Sequence, residues 1–265
     1  MSSQLNQKIN IDRSKFWKAG YLSYKLYDYQ VPLYNLLIGA IKDPSCLKYV
    51  LNCSRRWGKS TILCLIATEY CLRNPNSLVR FAAPTGKALK KIIIPIMRLI
   101  CKDAPEQYKP KFRALDAIYV FHNGSELHMA GTDGGNAESL RGQTSHLNVI
   151  DEAGFCDDLD YLMKSILMPQ TLTTGGKTLL ASTPSKTPAH DFHTIAQECK
   201  EAGHYMTYTI YDNPSISEKT RELYAKEAGG FESSTWKREY LCQFVVDANS
   251  VRGLFSGLMQ AQQTK

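Results

Sequence analysis

The sequence lacks any apolar run that approaches the roughly 20 residues needed to span a bilayer, so it predicts no membrane-spanning helix. Residues 1–16 are polar and carry Asp12 among basic residues, which excludes a secretory signal peptide. Eight cysteines are present, but no two of them form a C-x-x-C pair. This spacing favours reduced, mostly buried thiols in a cytosolic protein over disulfides or a zinc site.

Internal repeats and low-complexity segments are also missing, and the composition is that of a globular protein. With 265 residues, 43% of them hydrophobic and 22% charged, the chain can bury a core in one large domain or in a domain plus a small one. The formal charge of +7 gives weak support to a polyanionic partner. His190 and His193 lie at metal-ligand spacing, but no third ligand is near them, so ordinary surface histidines are the simpler interpretation.

What the sequence does contain is a phosphate-binding pattern. An apolar strand predicted at 47–52 leads into a short loop that ends in Gly-Lys-Ser-Thr, and a helix predicted at 59–73 follows. Backbone N–H groups and the N-terminus of such a helix cradle phosphates. Lys59 is expected to reach the β- and γ-phosphates and Ser60 to ligate Mg²⁺, while Gly58 lets the backbone approach the phosphate.

The loop departs from the usual pattern in one respect, because Cys53 stands where the first glycine is expected. Taken alone, it is also compatible with a chance Gly-Lys-Ser sequence at a helix start. The residues of this loop that are predicted to contact ATP are Ser54, Arg55, Arg56, Trp57, Gly58, Lys59, Ser60 and Thr61.

A second apolar strand, predicted at 147–151, ends in Asp151 and Glu152. At the C-terminal edge of a parallel sheet, such an acidic pair lies beside the phosphate loop. We expect Asp151 to hold Mg²⁺, directly or through water, and Glu152 to polarise the attacking water. An acidic helix N-cap is the alternative for an Asp-Glu pair alone, and after a phosphate loop it is the weaker one. Together the two patterns predict an ATPase site that takes ATP and Mg²⁺.

An adenine contact is predicted ahead of the phosphate-loop strand. Gln30 opens the helix that precedes this strand, and its amide can pair with the adenine edge. Tyr27 or Tyr29 can stack on the ring. An ordinary surface glutamine is the alternative.

Three arginines are candidates for the cation that stabilises the transferring phosphate. Arg141 lies on a loop shortly before the acidic strand, where it can act as an arginine finger. Arg55 and Arg56, inside the phosphate loop, are rival candidates. Which of them acts within the subunit and which across an interface stays open, and phosphate-positioning or salt-bridge roles are the alternatives for each.

The strand after the acidic pair ends in Ser182, Thr183 and Pro184. Hydroxyl groups at the γ-phosphate edge can sense whether phosphate is present and pass this on as a loop movement. These three residues are therefore the predicted coupling motif, and a plain Ser/Thr turn before proline is the alternative.

A basic helix is predicted at 86–101, after the second strand. Cations at helical spacing along it form a stripe that can contact DNA phosphates without reading bases; they are Lys87, Lys91, Arg98 and Lys102. A solvated helix face is the alternative for each of them. A second basic cluster beside the predicted hairpin consists of Lys109, Lys111 and Arg113.

Strands and helices alternate along the chain, which is typical of a doubly wound α/β fold with a mainly parallel sheet and helices on both faces. A hairpin is predicted to pair 117–121 with 126–130 through a type I′ turn at Asn123-Gly124. Two short helices broken at Gly229-Gly230 predict a small C-terminal subdomain beside the nucleotide edge. The predicted division is an extension at 1–26, an ATPase core at 27–210, a lid at 211–248 and a tail at 249–265.

In this order and spacing, the motifs resemble the N-terminal ATPase domain of phage large terminase subunits. The resemblance covers about residues 27–246. It rests on the Gln30 motif, the glycine-poor loop at 53–61, Ala-Pro-Thr-Gly at 83–86, Ser-Leu-Arg-Gly at 139–142, Val-Ile-Asp-Glu-Ala at 149–153, Ala-Ser-Thr-Pro at 181–184, Tyr-Asp-Asn-Pro at 211–214 and Arg-Glu-Tyr-Leu-Cys-Gln-Phe at 238–244.

The resemblance implies a RecA-like P-loop NTPase fold and a motor that couples ATP hydrolysis to translocation of double-stranded DNA into a prohead. It also implies a homo-oligomeric ring on the portal, a small terminase subunit that selects the genome, and a place in the cytoplasm of the host cell. In that family the arginine of Ser-Leu-Arg-Gly, here Arg141, is a candidate finger acting in trans, and residues 182–184 carry the coupling motif.

Large terminases usually continue into a metal-dependent nuclease domain with clustered aspartates, whereas this chain stops soon after Val246 and offers Asp247 alone. We therefore expect no DNA cleavage by this chain. Two other functions stay open. One is a helicase-type DNA translocase, which shares the nucleotide core, and the other is a nucleotide-gated module that docks on portal or DNA with little turnover in isolation.

Overall fold

The computed structural model describes residues 13–142, 144–187 and 189–245, which fold around an eight-stranded sheet. The strands are β1 Lys48–Cys53, β2 Leu78–Ala83, β3 Lys111–Arg113, β4 Ile118–Val120, β5 Glu126–Gly131, β6 Leu147–Asp151, β7 Lys177–Ser182 and β8 Tyr205–Tyr208. Their order across the sheet is β3-β4-β5-β2-β6-β7-β1-β8. From β5 to β8 all neighbours are parallel, and β3 and β4 add an antiparallel pair at one end. The predicted mainly parallel sheet is confirmed.

Helices cover both faces of this sheet. The regular helices are Arg13–Ala19, Val31–Lys42, Lys59–Arg73, Asp191–Glu201, Glu218–Glu227 and Ser234–Glu239. Two helical runs change type along their length: Gly86–Ala88, π-helical Leu89–Ile93 and Ile94–Cys101, then Leu159–Tyr161, π-helical Leu162–Leu167 and 3₁₀-helical Met168–Thr171. Short 3₁₀ segments lie at Ser23–Lys25, Asp28–Gln30, Glu106–Tyr108, Asp133–Leu140, Ala153–Phe155 and Ile210–Asp212. Within the described ranges, no helix combines the length and apolarity that a bilayer crossing requires.

The strand order places β7 between the phosphate-loop strand β1 and the acidic strand β6. Asn52 of β1 pairs with Ser182 of β7, and Ala181 of β7 pairs with Asp151 of β6. Because all three strands are parallel, their carboxyl ends reach the same edge of the sheet. This register brings the loop after β1, the coupling motif and the acidic pair side by side.

Helix Lys59–Arg73 is buried along most of its length, because its apolar residues face both the sheet and the N-terminal helices. Trp17 and Leu22 are fully buried in the same core, so residues 13–26 pack on it. The opposite face of the sheet is covered by the helical run at 159–171 and by helix Asp191–Glu201, which form a second core. The division at residue 26 stays a prediction.

One carboxylate, Glu69, is enclosed within the first core. It accepts hydrogen bonds from the backbone N–H of Leu22 and from the Tyr34 hydroxyl, the latter at 2.6 Å, and it pairs with Arg73 at 3.2 Å. Burial raises the pKa of Glu69. These partners offset the cost of burying the carboxylate, so Glu69 joins the N-terminal segment to the helix.

The turn between β4 and β5 is not the predicted type I′. That turn needs a positive φ at both central residues, but only Gly124 has one, at 80°. The Phe121 carbonyl accepts from Gly124 N–H at 3.2 Å, and Phe121 N–H donates to the Ser125 carbonyl at 2.9 Å. Asn123 instead donates to the carbonyls of Cys71 and Leu72. This contact with the end of helix Lys59–Arg73 holds Asn123 away from the left-handed conformation.

The C-terminal described residues form the predicted pair of short helices, Glu218–Glu227 and Ser234–Glu239. Gly229 and Gly230 break the pair with φ values of 93° and 97°. A small core of their own contains Trp236. The predicted tail at 249–265 and Asp247 lie outside the described residues.

We predict that Gly131→Ala destabilises the fold, because a Cβ atom at the end of β5 would lie 2.1 Å from the backbone nitrogen of Gly86. Backbone cannot yield as a side chain does, so the loss should reach about 3 kcal/mol. Gly39→Ala is the matched control, since nothing lies within 4 Å of that Cβ position and alanine favours a helix by up to ~1 kcal/mol. Urea unfolding midpoints measure both, and similar midpoints for the two variants would contradict the close approach of the end of β5 to Gly86.

Candidate functional site

The carboxyl ends of β1, β7 and β6 bring the central predicted residues together. β1 runs into the loop that carries Lys59, and β6 ends at Asp151. The ammonium of Lys59 lies 2.7 Å from a carboxylate oxygen of Glu152. The phosphate loop and the acidic pair therefore form one charged site at this edge.

The phosphate loop has a backbone conformation that few residues adopt. Gly58, just before helix Lys59–Arg73, has a φ of 94°. A Cβ atom there would lie 2.2 Å from Nε2 of Gln30, so a side chain does not fit. Arg56 has a φ of 64°, which is strained for a residue with a side chain. Such strain is common at functional sites.

Gln30 lies under this loop rather than beside an open cavity. Its Nε2 donates to the carbonyl oxygen of Trp57 at 3.1 Å, and its Oε1 accepts from the backbone N–H of Tyr27 at 3.1 Å. Gln30 is only 4% exposed, so the alternative of an ordinary surface glutamine is wrong. Both amide atoms are bonded to the protein. A role of Gln30 at the adenine edge stays a prediction.

Tyr27 and Tyr29, one of which is predicted to stack on the base, contact aromatic neighbours, and the stacking role stays a prediction. The rings of Tyr27 and Tyr29 stack with centroids 5.7 Å apart, and Tyr29 meets Trp57 edge-on at 5.3 Å. Trp57 in turn contacts Tyr208 of β8 at 4.7 Å. This row of rings supports the loop from the side of β8.

Burial and neighbouring charges shift the pKa values of both Lys59 and Asp151. Burial disfavours the Lys59 ammonium, but the charges of Glu152 and Asp151 outweigh it and raise the pKa of Lys59. Burial raises the pKa of Asp151, the charge of Glu152 raises it further, and Lys59 with a hydrogen bond from Ser60 offsets only part of this. Asp151 is thus a buried carboxylate whose negative charge is incompletely compensated.

Four buried oxygen atoms at this edge have no hydrogen-bond partner within the described residues: Ser54 Oγ, Asp151 Oδ1, Glu152 Oε2 and Thr183 Oγ1. Buried polar atoms are nearly always paired in folded proteins. Carboxylate and hydroxyl oxygens suit a hard divalent cation, and hydroxyl groups can also donate to phosphate. Within the described ranges no group of three or more His, Cys, Asp or Glu could hold a metal. A cation at Asp151 therefore needs further oxygen ligands from a bound anion or water.

The predicted coupling residues pack against the loop that follows the acidic pair. Gly154 N–H donates to Ser182 Oγ at 2.9 Å. A Cβ atom on Gly154 would lie 2.8 Å from the carbonyl oxygen of Thr183, so the approach requires glycine. Glu152, two residues earlier, has a φ of 53°. Sequence analysis missed Gly154, although a glycine directly after Asp-Glu-Ala was a visible signal.

The C-terminal segment holds the phosphate loop from the other side. Arg55 N–H donates to the carbonyl of Glu239 at 3.2 Å, and its guanidinium pairs with the Glu239 carboxylate. Asn213 donates to the carbonyl of Arg56 at 3.4 Å. Glu239 and Asn213 belong to the motifs at 238–244 and 211–214, for which sequence analysis found no role. Both motifs fix the loop to the lid.

A cavity of about 560 Å³ opens between the loop and the lid. This volume lies within the roughly 300–1,000 Å³ of small-molecule sites. Apolar and aromatic groups line it together with two cations: Arg55, Arg56, Ile210, Ile216, Thr220, Tyr224 and Tyr240. It is large enough for a ring system attached to a phosphate chain.

Arg141 makes its contacts with the segment just before it and with the helical run at 159–171. Its guanidinium pairs with Glu138 at 2.7 Å and donates to the Tyr161 hydroxyl at 3.0 Å and the Ser165 carbonyl at 3.1 Å. About half of its side chain is exposed. Among the described residues, none of these partners belongs to the phosphate loop. The role of Arg141 as an arginine finger, in cis or in trans, stays a prediction.

The cations predicted to contact DNA are all exposed: Lys87, Lys91, Arg98 and Lys102. The π-helical segment Leu89–Ile93 interrupts the run and shifts its phase by roughly one residue. The single stripe that regular α-helical spacing predicts is therefore broken, since later residues are rotated about the axis. The second cluster at 109–113 is also exposed. DNA contact stays a prediction for both.

The two histidines and the eight cysteines are packed within the fold. His190 caps helix Asp191–Glu201 by accepting from Phe192 N–H at 3.1 Å, and its other ring nitrogen lies 3.0 Å from the Cys156 carbonyl. Burial lowers the pKa of His193. Neither histidine is fully exposed, so the surface interpretation is only partly right. The eight cysteines are buried and unpaired.

A family model described as terminase large subunit, T4likevirus-type, N-terminal, matches residues 50–255. No curated protein is similar enough to this chain to match it.

Similar solved structures include the large terminase of a thermophilic bacteriophage in complex with ADP, with 17% identity and a TM-score of 0.65 over 83% of this chain and 54% of that chain. Another is the large terminase ATPase domain of Thermus phage P74-26, with 18% identity and a TM-score of 0.60 over 87% and 97%. The large terminase of bacteriophage HK97 is 16% identical, with a TM-score of 0.59 over 80% and 50%. These likenesses show the P-loop NTPase fold. This chain spans 54% of the first of these relatives.

We predict that Asp151→Asn stabilises the ligand-free protein, because the raised pKa shows that the fold disfavours this charge. The gain should be about 1–2 kcal/mol near pH 8. The gain in stability should shrink as pH falls toward 4. The folded state loses the charge of Asp151 first, because its pKa is raised, and the unfolded state loses it near pH 4. Thermal unfolding at both pH values measures it. The exposed Asp157→Asn is the control, and equal midpoints for the two variants at pH 8 would contradict the electrostatics described here.

Proposed function

The chain belongs to the large terminase family, whose T4-type N-terminal part its residues 50–255 match, and from this premise we propose that it is the ATPase motor domain of a DNA-packaging machine. In this proposal it hydrolyses ATP to move double-stranded DNA into a prohead. Its partners are the portal, a small terminase subunit and further copies of itself in a ring. Its place of action is the host cytoplasm.

One observation carries the proposal. Lys59 at the start of a helix lies 2.7 Å from Glu152 at the end of a strand two positions away in the sheet. Unpaired buried oxygens surround this pair, and Asp151 has an incompletely compensated charge. A magnesium–triphosphate supplies the cation and the anion that this arrangement is missing.

The chain's own residues divide the binding work. The N-terminus of helix Lys59–Arg73 and the Lys59 ammonium take the phosphates, as helix N-termini favour anions. Asp151 and the Ser60 hydroxyl would hold Mg²⁺, directly or through water. When bound, the ion neutralises phosphate charge and fixes the orientation of the phosphates. Ser54 and Thr183 offer the remaining unpaired hydroxyl oxygens.

The carboxylate of Glu152 has to separate from Lys59 before it can orient water. In the structure its carboxylate is paired with Lys59. Phosphate competes for the same ammonium, so binding releases Glu152 to orient the attacking water. The transition-state cation comes from Arg55 or Arg56 within the subunit, or from Arg141 of a neighbouring one.

We place the nucleoside in the cavity beside Arg55 and Arg56, where Tyr224 and Tyr240 offer aromatic faces. Gln30 contributes by holding the carbonyl of Trp57, which keeps the loop in shape. Tyr29 supports the same loop through Trp57. The adenine site is thus built by the lid together with the loop.

Two contacts transmit the movement caused by hydrolysis from the site to the rest of the molecule. Ser182 joins the end of β7 to Gly154 behind the acidic pair. Asn52 of β1 donates to the carbonyl of Cys242 at 2.7 Å, which ties the sheet to the lid. Loss of the γ-phosphate removes a partner of Thr183 and so moves this edge. The exposed basic residues on 87–102 are our proposed DNA-gripping surface.

The experiment that tests the ATPase site compares Glu152→Gln with Lys59→Ala. We expect Glu152→Gln to bind ATP about as tightly as the wild type and to lose hydrolysis by at least about a hundredfold, since water is no longer oriented. Lys59→Ala should lose nucleotide affinity itself, because the phosphates lose a buried cation. Equilibrium binding of ADP and phosphate release are the two measurements.

Lys177→Ala serves as the matched control, because this buried lysine lies at the start of β7, away from the site, and donates to the Pro44 carbonyl. It should bind and hydrolyse ATP as the wild type does. Normal hydrolysis by Glu152→Gln would remove Glu152 from its proposed role. Unchanged ADP affinity in Lys59→Ala would overturn the site as a whole.

The nucleoside position has its own prediction. Tyr224→Ala should weaken ADP binding by about tenfold, since stacking a base on an aromatic ring is worth roughly 1–3 kcal/mol. Inorganic tripolyphosphate has no base, so its binding should be unchanged. Leu223→Ala is the matched control, because Leu223 is equally exposed on the same helix and does not line the cavity. Equal loss for ADP and tripolyphosphate would show that Tyr224 does not contact the base.

A further inference from the structure

Strand β2 carries a buried cation, Arg80, which is 4% exposed. Its Nη1 donates to Nδ1 of His128 at 2.7 Å, and its Nε donates to Oε1 of Gln170 at 3.3 Å. His128 therefore carries its hydrogen on Nε2, which lies 2.6 Å from Glu126. Within the described residues, no carboxylate forms an ion pair with Arg80. Burial lowers the pKa of Arg80.

Burying such a cation in a core is energetically unfavourable. A buried charge with neutral partners loses hydration that hydrogen bonds only partly replace, and apolar side chains of similar volume are often as stable or more so. Packing alone therefore does not account for an arginine at this position. Its contacts lead instead to the loop that carries Arg141.

Arg80 and Gln170 contact the residues on both sides of Arg141, which are Leu140 and Gly142. Gln170 Nε2 donates to the carbonyl of Leu140 at 2.9 Å, so Arg80 reaches Leu140 through Gln170. On the other side, a Cβ atom on Gly142 would lie 2.2 Å from Nη2 of Arg80. The guanidinium thus packs directly against the Gly142 backbone, and the glycine of Ser-Leu-Arg-Gly is explained by this approach.

On the outer side of the loop, hydrogen bonds fix the orientation of the Arg141 side chain. Glu138 pairs with it at 2.7 Å, and Tyr161 donates to the same carboxylate at 2.7 Å. Ser165 accepts from it at 3.1 Å. The backbone is therefore set from inside by Arg80 and Gln170, and the guanidinium from outside by this group.

We propose that Arg80 is a positioning residue that sets, through Gln170 and the Gly142 backbone, where Arg141 is presented to a neighbouring subunit. The inference rests on the proposed function, taken with Arg141 of one subunit as the transition-state cation at the ATP site of the next. Arg80 touches no nucleotide in its own subunit. Its loss should leave nucleotide binding intact and reduce only the activity that depends on a neighbour.

Two variants test this from opposite sides: Arg80→Met removes the guanidinium, and Gly142→Ala pushes the loop away from it. Arg113→Met is the matched control, because Arg113 lies on the same cluster, 3.6 Å from Glu126, but contacts neither Gln170 nor Gly142. The first readout is the nuclear magnetic resonance signal of arginine Nε–H groups in isotope-labelled protein. Arg141→Lys identifies the Arg141 signal.

In the wild type and in Arg113→Met, the Nε–H of Arg141 should give a slowly exchanging signal, since it is bonded to Glu138. Both test variants should lose or shift this signal. The Nε–H of Arg55, bonded to Glu239, should keep its own and so report an intact fold. An unchanged Arg141 signal in both variants would overturn the proposal, and so would unfolding of both, since the two residues would then serve stability.

The second readout is ATP turnover against protein concentration. Both variants should lose the concentration-dependent part by about tenfold or more, as misplacement of a catalytic group by about 1 Å does. ADP affinity should stay at the wild-type value. Mixing either variant with Lys59→Ala should restore turnover, because the Lys59→Ala subunit supplies an intact Arg141 to an intact phosphate site.

The outcomes of these experiments distinguish failure of the positioning role from failure of the proposed function. If Lys59→Ala and Glu152→Gln behave as wild type, the ATPase site itself is wrong. If Arg141→Ala keeps full turnover, the finger is elsewhere. If Arg141→Ala loses turnover while Arg80→Met and Gly142→Ala keep it, the positioning role is overturned. Failure of the mixture to recover would place the effect of Arg80 within its own subunit, which also contradicts the proposal.

Discussion

A buried ammonium at the head of helix Lys59–Arg73 has to be matched by negative charge, and the end of β6 supplies it. Lys59 is 6% exposed, so an unpaired charge there would cost on the order of several kcal/mol. Glu152 provides the partner, but the same strand end also buries Asp151, whose charge remains only partly compensated. The ligand-free site is therefore stable enough to form and still short of one positive charge. The positions of β1, β7 and β6, the strained loop and the glycine contacts all serve to hold these three groups within reach of each other.

Much of the fold could be predicted because local signals and tertiary packing agree. Helix Lys59–Arg73 and strand β6 have the predicted bounds, since their apolar residues fill positions that the core buries. The turn at Asn123 could not be predicted, because a hydrogen bond to the end of a helix 51 residues away decides its conformation. Gln30 shows the same limit, as its burial depends on a loop that follows it by 27 residues. The meeting of Lys59 with the acidic pair was foreseeable, because carboxyl ends of parallel strands share an edge. The roles of Arg80 and Gln170 were not, since their contacts follow from the register of strands and loops distant in sequence.

Half of the non-glycine residues with positive φ in the described ranges lie at the proposed site. Of the six in the described ranges, Arg56 lies in the phosphate loop, Glu152 follows the acidic strand and Cys242 lies where the lid returns to β1. Each such residue stores on the order of 1–3 kcal/mol of backbone strain that surrounding contacts must offset. The three segments are also those joined by Arg55, Asn52 and Ser182 to their neighbours. Strain and the contacts between elements therefore coincide at the edge where phosphate is proposed to come and go.

The row of rings from Tyr27 through Trp57 to Tyr208 has an optical consequence. Trp57 lies inside the phosphate loop, with its indole N–H buried and without a partner among the described residues. The other two tryptophans lie in different places, Trp17 in the N-terminal core and Trp236 stacked on Tyr240 in the lid. Indole emission responds to nearby polarity and ring contacts, so the loop and the lid each contain an intrinsic fluorophore. Single-tryptophan versions of this chain can therefore report the state of either element without any added label.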